Sequence, residues 1–221
     1  MSITTTHREK RFLRAQLQSI EARKVLEIGA FKGETTCVIC EAVEPRDGQV
    51  AVIDPMQWSA EVLRNGVMRH FERPFPKLMR RFEAALGAFG YERDFWKNVG
   101  RRTNVHLFRG LSTSGELLAS SDPHLQDLDA VFIDGDHSYE GAAHDLSRWA
   151  SRVVPGGLVL VHDVTSRFPG VVRALDEWWS PDRCETGGQV ESLCAIRVRT
   201  DAPARADHIP ITPVTPAAPA E

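Results

Sequence analysis

The chain has 221 residues, of which 42% are hydrophobic and 26% are charged, and its net charge is -3. This length suits one α/β domain with a buried core and is short for two. The near balance of charge gives no sign of a nucleic-acid partner, and no apolar run reaches the roughly 18 residues that span a bilayer. The opening residues, MSITTTHREKRF, lack the apolar core of a secretory signal. We therefore expect a cytoplasmic protein with no membrane or nucleic-acid partner.

Two elements are predicted at the start of the chain. Residues 7–24 place Phe12, Leu13, Leu17 and Ile20 at helical spacing among charged residues, which indicates an amphipathic helix packed against a sheet. The short apolar run KVLEIGA then ends in alanine after a glycine, and GETTCVICEAV continues with helical character. This order predicts a strand, a turn and a helix.

The next segment combines a strand with a long insert. QVAVIDPM predicts the second strand, which Asp54 and Pro55 end. Residues 58–103 are charged, aromatic and mostly helical in pattern, with interrupting prolines and glycines. Because this insert is longer than a minimal crossover needs, we expect it to act as a lid or contact surface that helps to select the substrate.

The remaining chain alternates strand and helix patterns. NVHLFRG, DAVFIDG and GGLVLVHDV have strand character, and STSGELLASS and GAAHDLSRWASRV lie between them with helical character. This alternation predicts a parallel sheet with helices on both faces. GVVRALDEWW and SLCAIRVR add a helix and a last strand. We predict a single domain over residues 1–200, followed by a disordered Pro- and Ala-rich tail at residues 201–221.

The first strand-to-helix turn, VLEIGAFKGETT, contains Glu27, Gly29 and Gly33. Glycines at such a junction let the backbone approach a ligand, and the N–H groups of the next helix face it. Asp54, at the end of the next strand, is placed to bind ribose hydroxyls. A dinucleotide turn would read GxGxxG, but Phe31 stands at the second glycine. The pattern favours a nucleoside without pyrophosphate over NAD, and a purely structural tight turn is the alternative.

Three stretches together resemble one enzyme family. VLEIGAFKGETT, AVIDPM and DAVFIDGDHSYEGAAHDLSRWASRVVPGGLVLVHDV are similar to the class I S-adenosylmethionine-dependent methyltransferases, in particular to small O-methyltransferases with an IDGDHSYE signature. The resemblance runs from about residue 24 to residue 179. It implies an α/β Rossmann-like doubly wound sheet, mostly parallel, with a reversed last strand and the strand order 3-2-1-4-5-7-6.

The resemblance also implies where S-adenosylmethionine binds. The loop from Glu27 to Gly33 would hold the cofactor together with Asp54 and Asp134. The adenine would lie near Leu111 and Ser112, which follow LFRG.

Polar residues end two neighbouring predicted strands. Asp134 ends the fourth strand, and His162 and Asp163 end the fifth. Because adjacent parallel strands end at the same edge, we expect these three side chains to offer two carboxylates and an imidazole to a divalent cation. The carboxylates suit Mg²⁺, and the histidine suits Mn²⁺ or Zn²⁺. Similar metal-dependent O-methyltransferases usually have two acids, or an acid and an amide, where this chain has His162 and Asp163, so a metal-independent enzyme is an alternative.

An alcohol must lose its proton to accept a methyl group, so a base is expected near the cation site. In similar sugar and macrolide methyltransferases, a histidine three residues beyond the acid at the Asp134 position is the proposed base, and the resemblance assigns His137 to that role. Asp136 lies in the same loop, where an aspartate commonly caps the next helix, here beginning near Ser138.

The sequence therefore predicts an O-methyltransferase that acts on a hydroxyl of a small molecule with assistance from Mg²⁺ or Mn²⁺. A sugar hydroxyl or natural product is the first expectation for the acceptor, and a catechol-like phenol is the second. The alternatives are a nucleotide-binding oxidoreductase and a non-catalytic cofactor-binding module. The insert and the first helix also leave open a homo-oligomer.

Overall fold

The computed structural model describes residues 5–57, 90–100 and 102–201 of the chain. Its strands form one seven-stranded sheet in the order β3-β2-β1-β4-β5-β7-β6. The predicted fold class and strand order are confirmed. The strands are β1 (Lys24–Ile28), β2 (Gln49–Asp54), β3 (Val105–Arg109), β4 (Leu128–Ile133), β5 (Val153–Val161), β6 (Cys184–Val190) and β7 (Leu193–Val198).

The first five strands in the sheet order, β3, β2, β1, β4 and β5, are parallel to one another. Strand β7 is antiparallel to both β5 and β6. In the central register, Ile28 of β1 pairs with Ile133 of β4, and Ile133 pairs with Val161 of β5. The ladder continues one residue further, because Asp134 N–H donates to the Ile28 carbonyl at 2.9 Å and His162 N–H donates to the Ile133 carbonyl at 3.0 Å. The ends of β1, β4 and β5 are therefore level at one edge of the sheet.

Helices cover both faces of the sheet. Alternate residues of β2 show the division, since Val50 and Val52 belong to one apolar core, and Ala51 and Ile53 belong to the other. The first core lies under α1, α2 and α3, and the second lies under α5 and α6. The helices are α1 (His7–Ser19), α2 (Glu34–Val43), α3 (Glu92–Val99), α4 (Gly115–Ala119), α5 (Tyr139–Arg148) and α6 (Pro169–Trp178).

Helix α1 follows the predicted apolar stripe but is shorter than the predicted segment. Leu13 and Leu17 are fully buried against the sheet, as the helical spacing predicts. A capping box begins the helix, with Thr6 accepting from the Glu9 N–H while the Glu9 side chain accepts from the Thr6 N–H. Glu9 is only 1% exposed, so one charged residue of this helix lies inside the protein.

Two predicted segments fall mainly outside the described residues. Only residues 90–100 and 102–103 of the predicted insert at 58–103 are described, and only residue 201 of the predicted tail at 201–221. Both boundaries, and the single domain over residues 1–200, stay predictions. Within the described ranges, none of the helices is both long enough and apolar enough to span a membrane.

Candidate active site

The glycine turn after β1 has a backbone that other residues could not adopt without strain. Gly29 has a φ of +83°, and a Cβ added there would lie 2.2 Å from the carbonyl oxygen of Asp134. Gly33 has a φ of +79° and precedes α2, and a Cβ there would lie 2.5 Å from the Val99 side chain. The turn is therefore pressed against the end of β4 on one side and against α3 on the other.

Asp54 holds this turn in place through one carboxylate oxygen, and its other oxygen is held by residues outside the turn. Its Oδ2 accepts from the N–H groups of Ala30 and Phe31 at 2.9 and 3.0 Å. Its Oδ1 accepts from Met56 N–H at 2.6 Å and from the Tyr91 hydroxyl at 2.7 Å. A carboxylate offers about four acceptor positions, so a ribose would have to replace some of these donors. The ribose role of Asp54 stays a prediction, while its role in organising the loop is visible.

Glu27 places a buried carboxyl beside the same turn. Its Oε2 accepts from the Thr36 hydroxyl at 2.5 Å, whereas its Oε1 has no hydrogen-bond partner among the described residues. Burial, with smaller contributions from Asp134 and Asp54, raises the pKa of Glu27 to about 8. The carboxyl therefore largely keeps its proton at neutral pH. A buried polar atom without a partner is rare, and here it fits a site that receives a polar ligand.

A small cavity adjoins the turn and is lined in part by Thr5, Gly29, Thr35 and Asp134. Its volume of about 30 Å³ is enough for about two water molecules. The N-terminus of α2 borders it, and the N–H groups of a helix N-terminus attract polar ligand atoms. The described residues therefore fit a polar ligand group at this edge of the sheet.

The predicted adenine residues lie at the carboxyl end of β3, next to the β2 end. Gly110 N–H donates to the Asp54 carbonyl at 3.2 Å, which brings the following residues beside that strand. Leu111 is 61% exposed, and the Ser112 carbonyl accepts from the Trp149 indole at 3.0 Å. Adenine binding by Leu111 and Ser112 stays a prediction.

The predicted metal ligands do meet at the level strand ends. Ligand atoms of Asp134, His162 and Asp163 all lie within 4.8 Å of one another. His162 Nδ1 is 3.0 Å from Asp134 Oδ1 and 3.8 Å from Asp163 Oδ1. Asp163 has a positive φ of 59°, an uncommon conformation for a residue with a side chain. Two carboxylates and one imidazole form a donor set that fits a divalent cation.

His137, which the resemblance assigns as the base, lies beside this cluster, and its role as a base stays a prediction. Its Nε2 is 3.5 Å from Asp134 Oδ1 and 3.1 Å from Asp163 Oδ2. The Phe168 ring packs against the His137 ring with centroids 4.7 Å apart. The imidazole is thus held between two carboxylates on one side and an aromatic ring on another.

Charge pairing dominates the ionisation of both histidines. Burial alone would lower the pKa of His137, but Asp134 and Asp163 raise it to about 10. Burial likewise opposes protonation of His162, while Asp134 and Glu9 raise its pKa to about 11. The pKa of Asp134 is lowered, because the two histidines outweigh the effect of its burial. Without a cation, both imidazoles are therefore protonated at neutral pH.

Two residues that contact His162 were not predicted from the sequence. Glu9 Oε2 lies 3.4 Å from His162 Nε2, and the Ser192 hydroxyl lies 3.1 Å from the same nitrogen. The spacing of Thr6 and Glu9 is a readable capping box. Nothing in the sequence pattern, however, says that α1 and the turn between β6 and β7 meet at the end of β5.

The DGDH loop differs in one detail from the prediction. Asp136 Oδ1 accepts from Ser138 N–H at 2.9 Å, which forms a turn before the helix. The residue that caps α5 is Ser138, whose hydroxyl accepts from Gly141 N–H at 3.0 Å. Asp136 therefore shapes the loop that carries His137 and does not itself cap the helix, because the helix begins one residue after Ser138.

The glycine turn and the cluster of Asp134, His137, His162 and Asp163 lie within the segment that matches a known family. The family model described as a methyltransferase domain matches residues 26–164, which extend from β1 through the loop after β5. The chain belongs to the methyltransferase domain family. With the sheet order above, this membership confirms the prediction of a class I S-adenosylmethionine-dependent methyltransferase and disfavours the oxidoreductase alternative. No curated protein matches the methyltransferase in sequence.

Solved structures share the fold of the methyltransferase at low sequence identity. Cofactor-bound Rv0187 from MTB is 18% identical with a TM-score of 0.61, and the match covers 90% of this chain and 83% of that one. The O-methyltransferase TomG from Streptomyces achromogenes, involved in tomaymycin synthesis and solved with SAM, is 19% identical with a TM-score of 0.56 over 89% and 82%. CalS11, a TDP-rhamnose 3'-O-methyltransferase of calicheamicin biosynthesis, is 14% identical with a TM-score of 0.52 over 85% and 78%. At these identities the likeness establishes the fold alone.

Proposed function

We propose that the protein transfers a methyl group from S-adenosylmethionine to a hydroxyl of a small molecule, of the sugar or natural-product type, with the assistance of a divalent cation. The observation that carries this proposal is the convergence of His137 with Asp134, His162 and Asp163 beside the glycine turn. Structural neighbours named as O-methyltransferases, one acting on TDP-rhamnose, support the choice of a hydroxyl acceptor. The IDGDHSYE stretch, which resembles the signature of small O-methyltransferases, also supports the proposal.

The chain's own residues account for the cofactor half of the proposal. Glu27, Gly29 and Gly33 would hold S-adenosylmethionine with Asp54, Asp134, Leu111 and Ser112. When bound, the cofactor supplies an electrophilic methyl group on a sulfonium. The work of the protein is to bring that group and the acceptor oxygen together in line, because proximity and orientation account for much of such a rate enhancement.

The acceptor half of the proposal depends on the protonation of His137. The carboxylates of Asp134 and Asp163 keep its imidazole protonated near neutral pH, and a protonated imidazole cannot act as a base. A divalent cation held by Asp134, His162 and Asp163 would neutralise the two carboxylates, lower the pKa of His137 and acidify a bound hydroxyl. His137 would then be able to accept the hydroxyl proton. This coupling favours metal assistance over the metal-independent alternative, in which His137 keeps its two acidic partners.

A methyl-transfer assay tests the proposal. Metal-stripped protein receives S-adenosylmethionine with a labelled methyl group and a panel of nucleoside-diphosphate sugars, glycosylated natural products and catechols, with and without Mg²⁺ or Mn²⁺. We expect label in a hydroxylated acceptor only when a cation is present, and a loss of kcat of about 10²–10⁴-fold in His137→Asn.

His124→Asn is the matched control, because this histidine pairs with Asp122 in the connection that precedes β4 and makes no described contact with the site. Its rate should equal that of the wild type. Full turnover in His137→Asn would rule out this histidine as the base, and cation-independent turnover would leave the metal ligands without a catalytic role.

A further inference from the structure

Glu9 is a buried carboxylate that the proposed chemistry does not use. It accepts from the Ser192 N–H at 2.9 Å and from the Ser192 hydroxyl at 2.5 Å through Oε1. Through Oε2 it accepts from the Thr6 N–H at 2.8 Å and faces His162 Nε2 at 3.4 Å. Both oxygens are therefore fixed by backbone groups of two separate elements. A carboxylate held this firmly inside a protein can fix the orientation of whatever it touches.

The surroundings of His162 Nε2 define which form of the ring they accommodate. A hydroxyl has one proton to donate, and Ser192 directs its own to Glu9 Oε1. Ser192 therefore presents an acceptor lone pair to His162 Nε2, and Glu9 presents a second acceptor. Two acceptors facing one ring nitrogen require that Nε2 carry a hydrogen. The other nitrogen, Nδ1, is then the ring atom that faces Asp134 and Asp163.

We propose that Glu9 is a positioning residue, which holds His162 with Nε2–H inward and Nδ1 directed at the cation site. Histidines that bind metals commonly donate their second ring N–H to a carboxylate, which fixes the tautomer and the ring orientation. Glu9 supplies that carboxylate from a helix far from the cation ligands in sequence. The inference rests on the proposed function for its use of a cation, but the ring orientation itself does not depend on one.

The arrangement also ties two peripheral elements to the active site. The Thr6 hydroxyl donates to Glu191 Oε2 at 2.6 Å, and Arg8 lies 3.6 Å from Glu191 Oε1. These contacts join the start of α1 to the turn between β6 and β7, in which Ser192 follows Glu191. The N-terminal helix and the reversed hairpin thus meet over His162, and Glu9 is the residue through which they reach it.

The test compares Glu9→Gln and Glu9→Asp with the control Glu191→Gln. Gln removes the charge and turns an amide NH₂ group towards some of the donors that Glu9 now accepts, whereas Asp keeps the charge but is too short to reach His162. Glu191→Gln alters the contact between the same two elements without touching His162. Side-chain ¹⁵N–¹H spectra of metal-stripped protein report whether the Nε2–H of His162 is present and protected from exchange. Titration with Mn²⁺, followed by electron paramagnetic resonance, reports the affinity of each variant for the cation.

We expect a protected Nε2–H signal of His162 in the wild type and in Glu191→Gln, and its loss in both Glu9 variants. We also expect the Glu9 variants to bind Mn²⁺ about 10–100-fold more weakly. Circular dichroism checks that each variant is folded. If Glu9→Gln does not fold, the results for Glu9→Asp decide whether Glu9 positions His162. A His162 spectrum and Mn²⁺ affinity equal to wild type in a folded Glu9 variant would overturn the proposal.

The outcome for Glu9 is separable from the outcome for the proposed function. If the wild type binds no Mn²⁺, the metal-assisted mechanism fails, but the ring spectrum of the metal-stripped protein still decides whether Glu9 positions His162. If the wild type binds Mn²⁺ and the Glu9 variants match it in both readouts, the positioning role fails while metal assistance stands.

Discussion

At the residue scale, the buried carboxyl of Glu27 lowers the stability of the fold. The carboxyl is fully buried and keeps one oxygen without a partner among the described residues. Leaving a buried polar group unsatisfied costs about 1–3 kcal/mol, and the nearby Asp54 and Asp134 add repulsion once the carboxyl ionises. Such a cost is expected where a ligand completes the hydrogen bonding.

The raised pKa of Glu27 predicts a specific pH dependence of stability. Its folded-state pKa of about 8 lies above the value of about 4.3 expected in the unfolded chain. Between these values the folded state binds the extra proton, so this group lowers the free energy of unfolding as pH rises from about 4.3 to 8, and the loss is complete above that. Glu27→Gln cannot ionise, so the variant should gain stability relative to wild type by on the order of a few kcal/mol at pH 9, and by much less at pH 5.

Urea denaturation at pH 5, 7 and 9 measures this difference. The exposed Glu116 provides the control, since Glu116→Gln should follow the wild type at all three values. If the free energies of unfolding of Glu27→Gln and the wild type changed in parallel with pH, the raised pKa of Glu27 would be contradicted.

At the element scale, the glycine turn is the junction on which the site is built. Gly29 brings the end of β1 against the backbone of Asp134. Asp54, at the end of β2, anchors the loop between β1 and α2. The position of Gly29 is readable from the sequence, because a glycine after a first strand predicts a tight approach. The multiple donors to Asp54 are not readable, because Tyr91 comes from a distant part of the chain.

Gly29→Ala should be strongly destabilising. The added Cβ would lie 2.2 Å from a backbone carbonyl oxygen, which cannot move without shifting β4. We expect the free energy of unfolding to fall by about 2–4 kcal/mol and binding of S-adenosylhomocysteine to be lost. Urea denaturation and calorimetry measure the two effects.

Two glycine controls separate the causes. Gly115→Ala meets nothing within 4 Å and has no positive φ, so it should be near neutral. Gly100→Ala also meets nothing within 4 Å but has a φ of +74° and a ψ of −164°, a backbone region that is essentially restricted to glycine, so it isolates a backbone strain of about 1–3 kcal/mol. If Gly29→Ala cost no more than Gly100→Ala, close packing against β4 would not be what requires the glycine.

At the scale of the whole molecule, local patterns in the sequence predict a parallel sheet and the convergence of Asp134, His162 and Asp163, whereas the strand order and the reversed last strand are expected from the resemblance to the methyltransferases. Apolar runs that end in Asp134 and His162 fix two strand ends, and parallel pairing makes those ends level. Glu9 and Ser192 escape prediction because their contacts depend on how α1 packs against a hairpin about 180 residues away in the sequence. Local pattern therefore predicts the ligands of the site, whereas tertiary packing determines what orients them.

The most direct test of the central claim is calorimetric titration of S-adenosylhomocysteine into metal-stripped protein, repeated with Mg²⁺ or Mn²⁺ and with NAD as the control ligand. We expect the nucleoside to bind and NAD not to bind, because the turn has Phe31 where a pyrophosphate would need a glycine. Absence of S-adenosylhomocysteine binding under every condition would contradict the account of the glycine turn as a methyl-donor site.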